Sequence, residues 1–194
     1  ADLSGVYLDV CKDRLYCDAK DAPRRRSAQS TMAIITKALL PLIAPTLTYT
    51  VDEVMDYAPK IIKGDAKDAF DLVYEPIKFD LSFEDELLFA SREKFNEIVD
   101  VLKKDKKIKS TLELSLETTN HNITGYDERE MADLYMVSSV RAYDNSEPLA
   151  EFELEGDKFK IIASNLHKCP RCWKFNASKE DALCPRCEEV ISAK

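Results

Sequence analysis

A chain of 194 residues, 45% hydrophobic and 33% charged, is long enough to bury one ordinary core or two small ones. No apolar run approaches a membrane span, and no signal-peptide pattern is expected in these residues. The formal net charge of −8 would repel a polyanion if it were spread evenly, but the excess acid lies in residues 64–163 while the two ends carry a small positive balance.

The N-terminus lacks Met and runs from Ala1-Asp2-Leu3-Ser4 straight into an apolar pattern, as expected of a piece of a longer polypeptide. Leu3, Tyr7, Val10 and Arg14 keep helical spacing, and Asp21 with Pro23 supplies a stop and a fresh helix start. Cys11 and Cys17 fall on different faces of that first helix and read as free thiols in a reducing cytoplasm. From Arg24 onward Ala28, Met32, Ile35, Leu39 and Leu42 form one apolar stripe, with Pro41 expected to kink the helix and Pro45 to end it. Thr50-Val51-Asp52-Glu53 reads as a capping box that opens a short helix towards Ala58. Ser82 and Asp85 should open the next helix, whose inward face of Leu88, Ser91, Phe95, Ile98 and Leu102 continues to a lysine-rich end near Lys107.

After Lys109 the period changes to two. Leu112, Leu114 and Leu116 alternate with Glu113, Ser115 and Glu117, which predicts a strand with one buried face. A short helix over 127–133, a strand over 134–142, and a hairpin of strands 150–154 and 159–163 around Glu155-Gly156-Asp157-Lys158 complete a small mixed unit.

The last segment holds Cys169-Pro170-Arg171-Cys172 and Cys184-Pro185-Arg186-Cys187. A Cys-x-x-Cys turn folds two thiolates to one side of a tight loop, and two such turns supply the four soft ligands of a structural Zn²⁺. Four protein ligands leave no vertex for water, so the site should be structural. Disulfide, redox and iron–sulfur use of the same cysteines are the alternatives. The expected fold class is α+β: a helical region over 1–107, an α/β junction module over 108–163 and a zinc finger over 164–194.

Tyr7 to Cys17, Arg25-Arg26-Ser27-Ala28-Gln29 and Leu42 to Glu53 resemble the helical anticodon-binding domain of bacterial-type class I isoleucyl-tRNA synthetases. Cys169 to Trp173 with Cys184 and Cys187 is similar to that family's C-terminal zinc finger. Met55 stands where the family commonly has an aromatic. Valyl and leucyl enzymes share the helical bundle, but the four-cysteine terminus with its Trp favours the isoleucyl group.

The resemblance implies a partial helical bundle that binds the anticodon region of isoleucine tRNA, attached to the remainder of a synthetase that joins isoleucine to tRNA through ATP. The family's His-x-Gly-His and Lys-Met-Ser-Lys-Ser signatures do not occur in this chain, so no catalytic residue is expected here. Unpaired bases are read by stacking on aromatic or guanidinium planes. That makes Trp173, flanked by Arg171 and Lys174 and echoed by Arg186, one candidate RNA surface, and Arg24, Arg25 and Arg26 at a helix start another. Trp173 shielding the metal core, Arg171 and Arg186 donating to sulfur, and a plain solvated helix end are the competing readings. His167 is either a bystander, an RNA contact or a substitute ligand. Two other functions use the same features: a DNA-binding finger of the kind that ends certain repair glycosylases, although Ala1-Asp2 lacks their Pro-Glu start, and a protein-interaction module built on the acidic middle.

Overall fold

The computed structural model describes residues 3–77 and 86–193. They divide into two compact units, Ala19–Ser82 and a larger one that combines Ala1–Asp18 with Phe83–Lys194.

In the larger unit, one wide π turn at Leu3–Tyr7 leads into helix α1, Leu8–Cys17. Cys11 and Cys17 are buried, whereas Tyr16 is 76% exposed.

The smaller unit begins with α2, Pro23–Ile43, where Pro23 sits in the first turn and its missing N–H costs nothing. The helix continues through Pro41 and stops two residues before Pro45. Helix α3 is Thr48–Tyr57, so it starts two residues before the expected capping box, and no side chain caps it. The Asp52 carboxylate accepts the Ala69 N–H at 3.2 Å and anchors a 3₁₀ turn, Ala69–Asp71. A one-turn helix, α4 (Lys60–Lys63), follows Pro59 and ends at Gly64 with φ of 60°. Leu40, Val51, Met55 and Ala69 form this unit's core, in which Met55 is fully packed.

The larger unit resumes with α5, Glu86–Lys104. The expected opening at Ser82 and Asp85 lies outside the described residues. Its buried line is Leu88, Ser91, Phe95, Val99 and Leu102, with Val99 at the centre and Ile98 at the edge of the predicted face. Ser91 is tolerated inside because it bonds the buried Tyr135 hydroxyl at 2.5 Å.

Strand β1 is Leu114–Thr118; α6 (His121–Gly125) and α7 (Glu128–Leu134) follow, then strands β2 (Ser139–Ala142), β3 (Ala150–Leu154) and β4 (Asp157–Ala163), and finally α8 (Pro185–Ser192). The sheet order is β2-β1-β4-β3, with β1 and β2 parallel and the other pairs antiparallel. The parallel pair requires a crossover, which α6 and α7 provide.

β1 is central, and all five of its residues are buried, so the prediction of one buried face is corrected. Its polar side is made tolerable by partners. Ser115 accepts from Ser139 at 2.9 Å, and Glu117 accepts from the Ser146 hydroxyl at 2.9 Å and pairs with Arg141 at 3.2 Å. The strand expected over 134–142 shortens to four residues because α7 runs on to Leu134 and Met136 turns the chain with φ of 56°. The hairpin turn is Glu155-Gly156 alone, both at positive φ, which matches the twist of the flanking strands. Phe95 of α5 and Tyr135, at the end of α7, meet edge to face at 5.6 Å. No described helix is long and apolar enough to cross a membrane.

Candidate metal centre

The first knuckle is closed by the Trp173 N–H, which donates to the Cys169 carbonyl at 2.9 Å, and by the Cys169 N–H, which donates to Lys174 O at 2.9 Å. This tight return forces Trp173 to φ of 66°, a conformation costly for a bulky side chain. The second knuckle is the start of α8: Cys184 occupies the position before the helix, Pro185 the first turn, and Cys187 the inner face. His167 and Ala177 exchange both backbone hydrogen bonds and tie the ends of the first loop.

The four cysteine sulfurs lie within 4.8 Å of one another, and Cys172 Sγ is 3.7 Å from Cys184 Sγ. A tetrahedral ion with metal–sulfur bonds near 2.3 Å would space its sulfurs by about 3.8 Å. The donor set therefore fits a metal ion, and three of the four cysteines are buried. Burial pushes the Cys169 thiol up, but the backbone N–H groups of Cys172, Cys184 and Arg171 outweigh it and bring it down to about 6. Burial raises Cys172 and Cys184. Four crowded sulfurs, three of them on buried cysteines, can ionise together only beside a compensating cation. The exposed His167 is not in this cluster.

Helix α1 packs beside the finger through its two equivalent arginines. Arg171 donates to the Cys17 carbonyl at 2.6 Å and to Cys187 Sγ at 3.3 Å, and a longer bond reaches Tyr16 O at 3.5 Å. Its charge is thus directed at a sulfur of the four-cysteine cluster, the donor role weighed in the sequence. Arg186 grips Asp13 with both guanidinium nitrogens, one bond being 2.8 Å, and reaches Asp18 at 3.3 Å. Burial alone would lower the Arg186 pKa, but Asp13 overrides it and raises it.

Lys174 is also turned inward. Its ammonium meets Asp133 at 2.8 Å with both groups almost fully buried, and Arg14 lies 3.7 Å from the same carboxylate. Trp173 alone of this group projects outward, 61% exposed, with the Lys168 ammonium 5.4 Å from its ring centre. Arg24, Arg25 and Arg26 belong to the smaller unit, at the start of α2; the first two are half-buried, and Arg26 is exposed and bonds Gln29 at 3.5 Å. The acids that hold the finger, Asp13, Asp18 and Asp133, were not foreseen. They lie far from it in sequence and carry no motif.

Residues 1–120 match the family model described as the anticodon-binding domain of tRNA ligase. Among curated proteins, the isoleucine–tRNA ligases of Campylobacter concisus and Campylobacter curvus are 97% and 74% identical across the whole of this chain. That of Campylobacter jejuni is 53% identical over 98% of it. The chain spans about a fifth of the length of these relatives.

Proposed function

The chain belongs to the anticodon-binding domain family of tRNA ligases, and from that premise we propose that it is the C-terminal, tRNA-holding region of an isoleucine–tRNA ligase. It grips the anticodon stem-loop of isoleucine tRNA while ATP-dependent aminoacylation proceeds in parts of the polypeptide beyond this chain, in the cytoplasm. The helical region over 1–107, the junction over 108–163 and the finger over 164–194 then serve as successive parts of one RNA-holding arm.

One observation carries the RNA reading. A knuckle built around four sulfurs holds the chain's only tryptophan outward in a strained backbone conformation. A base stacked on such a ring gains roughly 1–3 kcal/mol. Arg24, Arg25 and Arg26 supply a second phosphate-facing surface at the start of α2. Arg171, Lys174 and Arg186 contribute chiefly by holding the platform, given their internal partners. The metal is one structural Zn²⁺ bound by Cys169, Cys172, Cys184 and Cys187; when present it supplies charge compensation and rigidity, not a reactive water. The duplex-DNA reading has no support from a family match over residues 1–120, which precede the finger.

Filter binding with an isoleucine-tRNA anticodon hairpin tests the assignment. Trp173→Ala should weaken binding by about tenfold, and unchanged affinity would remove Trp173 from the contact surface. Metal analysis of the same preparation should find one zinc per chain.

A further inference from the structure

A cavity of about 460 Å³ opens within the larger unit, between α1, the region around α7 and the first knuckle. That volume lies in the range of small-ligand sites. Val10, Tyr16, Leu112, Ala132, Met136 and Trp173 make its lining overwhelmingly apolar. Two of these residues, Trp173 and Met136, hold positive φ of 66° and 56°, so the backbone is strained at two points of the lining.

The charged groups at its border are engaged with protein partners. Lys12 meets Asp9 at 2.5 Å, Lys174 meets Asp133 at 2.8 Å, Arg186 holds Asp13, and Arg171 is directed at backbone carbonyls and Cys187 Sγ. An occupant that brought net charge into this space would have to displace one of these pairs. A neutral occupant need only cover apolar wall. The exposed part of that wall is aromatic: Tyr16 at 76% and Trp173 at 61% leave two large rings in water, which an isolated domain gains nothing by doing. A neutral, flat, π-faced group that arrives on a charged backbone suits both conditions, because the charge stays outside the cavity while the ring enters.

We infer that this cavity receives one unpaired nucleobase, with Tyr16 of α1 as a second aromatic contact beside Trp173. The inference rests on the anticodon-binding reading and deepens it. It assigns α1, through Tyr16, a direct share of the RNA surface in addition to its contacts with the finger. Apposition of a second copy of this chain on the same rings is the competing occupant.

Trp173 is the only tryptophan, so intrinsic emission at this site reports on one ring. The chain is titrated with a synthetic RNA hairpin carrying the isoleucine anticodon loop, and emission and affinity are read together for wild type, Tyr16→Leu and Tyr16→Phe. Tyr16 is largely exposed, so neither change should disturb packing. The expected result is quenching by the hairpin, about tenfold weaker binding for Tyr16→Leu, and near-wild-type binding for Tyr16→Phe. Undiminished affinity of Tyr16→Leu overturns the Tyr16 assignment while leaving the anticodon reading in place. No binding by the wild-type chain overturns both. Emission that changes with protein concentration but not with RNA, together with a dimer in sedimentation, overturns the nucleobase in favour of a second copy.

Discussion

At the scale of single residues, the finger is governed by a few charges that have left water. Arg186 is the clearest case: its side chain is 12% exposed and Asp13 is 14% exposed. Removing one member strands the other, and Arg186→Ala should cost about 3–5 kcal/mol. The drop should appear as a lower urea midpoint, and Asp13→Asn in the same chain should recover part of it. Cys17, beneath the same contact, titrates unusually. Burial first, and then the nearby Asp13 carboxylate, push its thiol up to about 11 from an ordinary 9.0. The unfolded chain ionises this thiol first, so its contribution to stability is complete below pH 9.0 and is lost as pH rises towards about 11. Comparing melts of the wild type and Cys17→Ala across that interval should show the wild type losing stability more steeply. That four cysteines gather at one point could be read from spacing alone. The inward turn of Lys174 could not, because its partner Asp133 is brought to it only by the fold.

At the scale of elements, the helices were legible where an apolar stripe repeated over several turns, as in α2 and α5. They are less legible where a boundary rests on a short polar motif: the Thr50-x-x-Glu53 pattern does not open α3, which begins two residues earlier at Thr48 without a side-chain cap. β1 departs from its pattern for a tertiary reason: Ser115 and Glu117 look like a solvent face, yet partners from β2 and from the loop before β3 allow them to be buried. The β3–β4 hairpin was foreseen, and its turn offers a test with opposite signs at adjacent positions. Gly156 holds φ of 88° and Glu155 holds φ of 52°. Gly156→Ala should therefore destabilise by roughly 1–2 kcal/mol, whereas Glu155→Asn should stabilise by a few tenths of a kcal/mol or more. Thermal melts of the two variants check both directions.

For the molecule as a whole, the finger is joined to the N-terminal helix by contacts that span more than a hundred and fifty residues of sequence, through Arg171 and Arg186. Withdrawal of the metal by a chelator should therefore reach α1. Amide exchange should accelerate over residues 8–18 together with 167–192, while β1 and β4, which rest on the core of Phe95, Leu114, Phe159 and Ile161, stay protected. Simultaneous loss across the sheet would instead mean that the metal supports the entire larger unit. The sequence by itself determined the α+β class, the four-sulfur set and the family resemblance, because these reside in local spacing: a helical or two-residue period, two Cys-x-x-Cys turns, contiguous motif residues. Only the tertiary structure decided which cations face water, that α1 joins the finger's unit, and that Tyr16 and Trp173 border one cavity. Those outcomes depend on charge pairs and packing between distant segments, and a desolvated carboxylate such as Asp13 or Asp133 leaves no local trace of the partner that neutralises it.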